Sequence, residues 1–204
     1  MNQQALTEDV RIGAGNQKLG SIATFSLPSE TTCPGASDWC MNHCYAKRME
    51  KRWLNCGDAY AFNFLASLNP ESFVQGMLNR IPPDLPALRI HVGGDFYSAF
   101  YVESWVRICE QRPATQFWSY TRSWRVPDIR EALAKLRRLS NVELFASTDP
   151  SMSLPPRGWR IAFVAEDHRK SGLLCFEQQN RVSSCWRCGF CFRQSRGNVV
   201  FQVH

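Results

Sequence analysis

The strongest constraint on the fold of this chain is a regular alternation of short, β-rich apolar runs with amphipathic helical segments. The predicted strands are rich in β-branched and aromatic residues and cover residues 21–28, 88–92, 116–121, 142–147, 160–165 and 198–203. The clearest predicted helix covers 127–139, and a second covers 99–111. Residues 45–81 are predicted to form two or three helices, with breaks near Gly57 and at Asn69–Pro70.

This order of elements predicts an α/β protein whose strands pair in parallel through right-handed crossovers. The six predicted strands fit a partial (β/α)6 barrel or an open sheet and fall short of a full barrel. We expect the barrel to occupy residues 1–170 and to carry a cysteine-containing loop at 33–44. A cysteine-rich segment at 171–204 would follow it and close with the final strand. The length of 204 residues suits one domain with such an appendage.

Polar residues follow four of the predicted strands. They are Gly93, Gly94 and Asp95; Arg122 and Ser123; Thr148 and Asp149; and Glu166, Asp167 and His168. In parallel α/β sheets, functional residues gather at the C-terminal ends of the strands. The alternative is ordinary turn chemistry, because Gly-Gly and Asp-Pro are common in loops. We predict a functional rim here, with further pocket residues of unassigned role at Tyr97, Ser98, Tyr120, Asp149 and Glu166.

The nine cysteines form a group of three, a group of four and two singles. The groups are Cys33, Cys40 and Cys44, and Cys175, Cys185, Cys188 and Cys191. The sequence shows no export leader and no apolar run near the ~18 residues of a membrane span, so we expect a cytoplasmic protein. Thiols stay reduced there, which favours metal binding over disulfides. Three thiolates can hold a 4Fe–4S cluster with one open iron, whereas four can close a zinc site or a second cluster.

Each cysteine group leaves an alternative open. His43 could complete a zinc site of three cysteines and one histidine in the first group. In the second group, Cys175 is the natural fourth ligand and His204 could replace it. The spacing of the second group does not decide between zinc and iron–sulfur. The aromatic residues around it, Trp186, Phe190 and Phe192, are predicted to shield the site from water.

Several stretches of the chain resemble a known family. They are GNQKLG (15–20), TFSLPSETTCPGASDWCMNHCYA (24–46), HVGGDFYS (91–98), WSYTRS (118–123), FASTDPS (145–151) and CWRCGFC (185–191). A cysteine triad followed by Tyr-Ala is similar to the motif of the radical S-adenosylmethionine (SAM) superfamily. More closely, the chain resembles the phage and actinobacterial gene product 88 family and its radical-SAM-like relatives.

That resemblance implies a radical-SAM-type partial barrel in which the first cysteine group holds a 4Fe–4S cluster. The open iron would bind SAM for reductive cleavage, with electrons from a donor, and the second group would hold an auxiliary cluster. Gly93, Gly94 and Asp95 resemble the glycine-glycine-acid motif that contacts the methionyl amino group, and Tyr45 belongs to the cofactor motif. We expect Arg122 to pair with the methionyl carboxylate, because a guanidinium fork fits a carboxylate. The Cys-x6-Cys-x3-Cys spacing here is longer than in the usual motif.

Two other functions are compatible with the sequence. The net charge of +6 would suit a nucleic-acid or nucleotide partner. One alternative, suggested by aspartates at adjacent strand ends, is a zinc-braced, transglycosylase-like base-exchange enzyme with Asp95 and Asp149 as nucleophile and acid or base. The other is a noncatalytic, metal-stapled nucleic-acid-binding protein. Its basic aromatic surface would combine eight arginines with three tryptophans: Arg130, Arg137, Arg138, Arg157, Arg160, Arg187, Arg193 and Arg196 with Trp124, Trp159 and Trp186.

Overall fold

A seven-stranded parallel sheet forms the centre of the protein. The computed structural model describes residues 10–193 and 195–203. The strands are β1 (Ala23–Phe25), β2 (Ala87–Ile90), β3 (Gln116–Thr121), β4 (Val142–Ser147), β5 (Arg160–Val164), β6 (Leu173–Leu174) and β7 (Val199–Phe201). Every pairing between these strands is parallel, in the order β1-β2-β3-β4-β5-β7-β6. The predicted α/β class and parallel pairing are therefore confirmed.

Each predicted strand overlaps an observed one, although β2 begins one residue before the predicted start at 88 and ends two residues before the predicted end. The structure adds β6. That strand has two residues, which is too short to show a periodicity in the sequence. The final strand, β7, lies between β5 and β6, so the cysteine-rich segment is built into the sheet. Because the strand order follows the chain from β1 to β5, right-handed crossovers carry the intervening helices to one face.

The described helices are α1 (Asp38–Asn42), α2 (Tyr45–Arg52), α3 (Leu54–Ser67), α4 (Pro70–Arg80), α5 (Ala99–Glu110), α6 (Pro127–Leu136) and α7 (Cys185–Cys188). The predicted break near Gly57 is wrong, because Gly57 lies inside α3 and the chain is extended at Trp53 instead. A glycine costs a helix about 1 kcal/mol relative to alanine, which a packed helix can absorb. The break at Asn69–Pro70 is confirmed: Asn69 caps α4 and accepts from Ser72 N at 3.1 Å.

The two faces of the sheet are covered by different elements. On one face, β2 and β3 contribute Leu88 and Phe117 to a core shared with α4, α5 and α6. Successive side chains of a strand point to opposite faces, so Trp118 and Tyr120 lie on the other, inner face. The cysteine-rich segment covers that inner face, where Phe192 stacks on Trp118 at 4.9 Å between ring centroids.

Candidate functional site

The C-terminal ends of the first four strands meet at one edge of the sheet, as the sequence predicts. Gly93 O accepts from Leu27 N at 3.0 Å, which joins the ends of β1 and β2. Asp95 Oδ2 accepts from Arg122 N at 2.7 Å, which joins β2 to β3. Arg122 Nη1 donates to Asp149 Oδ2 at 2.5 Å, which joins β3 to β4. We call this edge the rim.

The end of β5 differs from the predicted rim. Glu166 and His168 are exposed, whereas Asp167 is buried. Asp167 accepts from the guanidinium of Arg169, which also donates to the carbonyl oxygen of Asp149 at 3.0 Å. Asp167 and Arg169 therefore brace the loop after β4.

The loop that carries the first cysteine group is fastened to the rim at three points. A Cβ on Gly35 would lie 2.1 Å from the carbonyl oxygen of Arg122, so only glycine permits this approach. Arg125 Nη1 donates to Gly35 O at 3.1 Å. Ser37 Oγ donates to Asp149 Oδ2 at 2.6 Å and accepts from Cys40 N at 3.1 Å. Sequence reasoning missed Ser37, although a serine directly before Asp38 is a typical helix cap.

The three thiols of the first group are neighbours at this rim, and they are free cysteines. Burial raises the pKa of the Cys33 thiol, and the charges of Asp95, Cys40 and Cys44 raise it further. Burial also raises the pKa of Cys40, while the positive charge of Arg122 acts to lower it. Cys44 caps α2, and its Sγ accepts from Lys47 N at 3.5 Å. The loop thus brings the predicted cysteine trio into mutual electrostatic range.

The carboxylate of Asp95 accepts hydrogen bonds from several groups at the rim. Its Oδ1 accepts from Phe96 N at 2.7 Å and from Thr121 Oγ1 at 2.6 Å. Its Oδ2 accepts from Arg122 N and from Ser123 N at 3.2 Å. Burial raises the pKa of this carboxyl, and these hydrogen bonds oppose the rise. Both oxygens are therefore saturated by protein donors, and contact with a methionyl amino group stays a prediction.

The Gly93-Gly94 turn is enclosed by protein atoms. A Cβ on Gly93 would meet the Tyr60 ring at 2.8 Å, and one on Gly94 would meet Thr32 Oγ1 at 2.6 Å. Gly94 also has a φ of +77°, which side-chain-bearing residues rarely adopt. Packing alone accounts for both glycines. Just before this turn, the predicted cofactor residue Tyr45 donates from its hydroxyl to Val92 O at 2.7 Å.

Arg122 and Asp149 form a buried ion pair below the cysteine loop. Asp149 is fully buried, and its Oδ1 accepts from the amide and the hydroxyl of Ser151. Burial acts to raise the pKa of Asp149, but hydrogen bonds from Ser151 and Ser37 and the charge of Arg122 hold it below its usual value. Arg122 Nη1 also contacts Met152 Sδ at 2.7 Å. The guanidinium predicted to meet a ligand carboxylate is thus already paired with a protein carboxylate.

The second cysteine group lies on the inner face of the sheet. Cys185 and Cys188 bound the single turn of α7, which ends at Gly189 with a φ of +71°. Burial raises the pKa of Cys185 to about 11, and the charge of Cys175 contributes to the rise. Burial raises the pKa of Cys191 to about 12, and the other three cysteines add to it. The four thiols are therefore neighbours, as the spacing predicts.

Neither cysteine group is arranged as a single-ion site. Within residues 10–193 and 195–203, no group of three or more histidine, cysteine or acidic side chains could hold a metal ion. The structure therefore does not support the predicted metal binding. A cubane carries each cysteine on a different iron, so its thiolates lie farther apart than ligands that share one ion. The all-sulfur donor sets fit a cluster by their chemistry.

His43 and His204 were the alternative zinc ligands, and the structure describes only His43. The ring of His43 stacks on Trp39 with centroids 4.2 Å apart, and its Nδ1 lies 2.8 Å from Trp39 O. That arrangement gives His43 a local partner outside the cysteine trio. His204 lies outside the described residues.

The fold and the rim together define an α/β protein with a parallel sheet and a cysteine loop over its strand ends. The chain belongs to the gene product 88 family, whose model matches residues 2–194. Two similar proteins, both called "Gene 88 protein", come from Mycobacterium phages L5 and D29. Each is 30% identical, over 99% of this chain and 96% of the relative. The predicted family is confirmed, while these comparisons give no support to a radical-SAM relationship.

No solved structure matches this chain. The structure shows a parallel α/β sheet, and no solved structure assigns that sheet to a particular type of barrel. In the part of the chain that the structure describes, no helix is both long enough and apolar enough to span a membrane.

Proposed function

We propose that this protein is an iron–sulfur enzyme of radical-SAM type. Cys33, Cys40 and Cys44 would hold a 4Fe–4S cluster whose open iron binds SAM. The observation that carries the proposal is the position of the cysteine loop. It lies over the C-terminal strand ends of a parallel sheet, where such folds place their chemistry. The strand order from β1 to β5 is also the order of a partial barrel.

The chemistry supplied by the bound cluster is one-electron reductive cleavage of SAM, with the electron from an external donor. The residues of this chain would hold and orient the cluster. The positive charge of Arg122 beside Cys40 favours an anionic sulfur there. Cys44 caps α2, and a helix N-terminus likewise favours negative charge. Ser37 links the amide of Cys40 to the buried carboxylate of Asp149.

The experiment is anaerobic purification after reconstitution with iron and sulfide. We expect a brown protein with about four irons per chain for one cubane, or about eight for two. Addition of SAM and dithionite should release 5′-deoxyadenosine and methionine. Cys56→Ser is the matched control, because Cys56 belongs to neither group and its loss should leave the iron content unchanged. A colourless protein that carries zinc alone would overturn the proposal.

A second candidate function is nucleic-acid binding without catalysis, and one surface feature favours it. A groove of about 440 Å³ is lined by Arg137, Arg138 and Arg160 at the N-terminal edge of β4 and β5. Arg137 lies over the Trp159 ring at 4.3 Å from its centroid. Trp124, by contrast, is buried at 3% exposure, so its predicted place on a basic surface is wrong.

Binding of a fluorescent single-stranded oligonucleotide tests this second candidate. Each phosphate contact contributes to the slope of log affinity against log salt, about −0.7 per contact on a single strand. The variant Arg137→Gln/Arg138→Gln should lower both the affinity and this slope. Equal binding by the variant and the parent would remove the groove from consideration.

The base-exchange alternative receives no geometric support. Asp95 and Asp149 are both buried, and every carboxylate oxygen accepts hydrogen bonds from the protein. A nucleophile or a general acid needs at least one oxygen that faces a substrate. Activity in a base-exchange assay that Asp95→Asn abolishes would restore this alternative.

A further inference from the structure

Arg89 is a guanidinium on the inner face of β2 without a carboxylate partner. None of the ion pairs recorded for the described residues includes it. Its Nε is buried and makes no hydrogen bond. Its Nη2 lies 3.5 Å from the hydroxyl oxygen of Tyr45, and its guanidinium carbon lies 5.3 Å from the centroid of the Tyr120 ring. The Arg89 side chain is half-buried, and a cation that is partly removed from water is destabilised unless a nearby negative charge offsets the loss.

Two other arginines in comparable settings are paired. Arg122 pairs with Asp149 at 2.5 Å, and Arg160 pairs with Glu143 at 2.6 Å. The Tyr45 and Tyr120 hydroxyls and the thiol of Cys185 act electrostatically on Arg89. Tyr120 and Cys185 also pack against the same inner-face cluster, which contains Ala87 and Trp118. Neutral phenols do not balance a guanidinium. Of these neighbours, Cys185 belongs to a group that can become strongly anionic.

We propose that Arg89 is the counter-charge of a metal centre held by Cys175, Cys185, Cys188 and Cys191. Four thiolates around a cubane core of charge +2 give a net charge of about −2. A centre of this charge on the inner face would offset the cost of the half-buried guanidinium, and Arg89 would lower the cost of burying the centre. The inference rests on the C-terminal centre of the proposed function, taken as an iron–sulfur cluster.

The inference assigns a role that no cysteine spacing indicates. Arg89 contacts Tyr45, which follows Cys44, and it also acts on Cys185. It therefore contacts the residue next to one cysteine group and acts on a member of the other. Its charge is fixed at all ordinary pH values, because a guanidinium stays protonated in proteins. The expected effect is on retention of the metal, because residues around a metal site commonly change metal affinity by about 10–100-fold.

The test uses the full chain with Cys33→Ala, Cys40→Ala and Cys44→Ala as the parent, so that any bound metal belongs to the second group. Metal per chain and the rate of its loss to a chelator are measured by mass spectrometry. Arg89→Met and Arg89→Gln should each lose metal at least about tenfold faster than the parent. Arg89→Lys, which keeps the charge, should stay within a few-fold of it. Arg107→Met is the control, because Arg107 is on α5 and pairs with the exposed Glu71.

Three results would overturn the inference. The first is equal retention of metal by the parent, Arg89→Met and Arg89→Gln. The second is a loss in Arg89→Lys as large as that in the neutral variants, which would show that the charge is not the cause. The third is a parent that binds no metal. Failure of SAM cleavage by the intact chain would instead reject the proposed enzyme and leave this measurement unaffected. If Arg89→Met does not fold, the comparison of Arg89→Gln with Arg89→Lys decides.

Discussion

The two cysteine groups occupy contrasting surroundings in one sheet. The first is carried by a loop at the rim, where buried polar groups such as Ser37, Asp149 and Arg122 fix its position. The second lies on the inner face among aromatic rings, where Phe192 packs between Trp118 and Trp186. The chain therefore places one sulfur group by a hydrogen-bonded network and the other by apolar packing.

The contrast has a physical consequence for stability. A buried polar network is favourable when every member is satisfied, and loss of a single member leaves a costly orphan. Removing an apolar side chain leaves no unpaired polar group. Its cost is the lost transfer free energy of the buried surface plus the energy of the cavity that remains. Changes at the rim should therefore respond to charge and pH, whereas changes on the inner face should respond to volume.

The largest expected effect comes from Asp149→Ala. The change leaves the guanidinium of Arg122 and the hydroxyl of Ser37 without their buried acceptor. Breaking a buried pair in this way costs about 3–5 kcal/mol. Denaturant titration of the free energy of unfolding measures it. Glu71→Ala, which removes an exposed partner of Arg107, is the control and should cause little change. If the two variants lost similar free energies of unfolding, the buried ion pair at the rim would be no more important for stability than an exposed surface ion pair.

A loss of similar size is expected on the inner face from Phe192→Ala. Phe192 is 2% exposed and stacks on Trp118, so truncation leaves a cavity and should cost about 3–5 kcal/mol. Tryptophan fluorescence should change as well. Phe100→Ala is the control, because Phe100 is 43% exposed. If Phe192→Ala cost no more than Phe100→Ala, packing on the inner face would not position the second cysteine group.

The pH dependence of stability should differ between the rim and the inner face because of His91, which directly follows β2. Burial lowers the pKa of His91 to about 3, and the charge of Arg89 contributes. The unfolded chain binds a proton near the ordinary histidine pKa of about 6.5, so the stability from neutral His91 is present above that pH. It is lost as the pH falls toward 3, by up to about 1.4 kcal/mol per pH unit.

His91→Asn isolates this contribution. His91 has a φ of +66°, a conformation that asparagine tolerates better than most residues. The variant should therefore keep the backbone and flatten the stability profile between pH 6 and pH 4, measured by urea titration at each pH. An unchanged slope would assign the acid sensitivity to other groups.

The smallest expected effect on stability distinguishes a serine that only caps a helix from one that also holds the cysteine loop to Asp149. Ser37→Ala removes the cap of α1 and the bond to Asp149, and Ser98→Ala removes the cap of α5. Loss of a cap costs about 1 kcal/mol in each case. Reconstitution with iron should be impaired in Ser37→Ala alone, because Ser37 also donates to Asp149 and the amide that it caps belongs to Cys40, a predicted cluster ligand. Equal iron content in both variants would reduce Ser37 to an ordinary cap.

The sequence predicted the elements that depend on local pattern. The strands at 116–121 and 142–147 have the predicted bounds, and α5 and α6 lie where their apolar periodicity placed them. The meeting of polar residues at one edge also followed from parallel pairing.

The roles that were missed depend on contacts between distant parts of the chain. Ser37 meets Asp149 across 112 residues, and nothing in the local sequence around either indicates the other. Asp95 could be placed at the rim, but its use as an acceptor for Thr121 and Arg122 required the register of β2 and β3. Trp124 is buried because the short 3₁₀ turn at Ser123–Arg125 carries it inward, where its Nε1 donates to Ser147 O at 3.2 Å. Burial of this kind leaves no sequence pattern.

The central claim is that the first cysteine group, and not the second, holds a cluster that binds SAM. Electron paramagnetic resonance of the dithionite-reduced protein, recorded with and without SAM, tests it directly in two triple variants. With Cys185→Ala, Cys188→Ala and Cys191→Ala, we expect a cubane signal that SAM shifts. With Cys33→Ala, Cys40→Ala and Cys44→Ala, we expect no shift on addition of SAM. A SAM-dependent shift that persists in the second variant, or the absence of any cubane signal in the first, would contradict the claim.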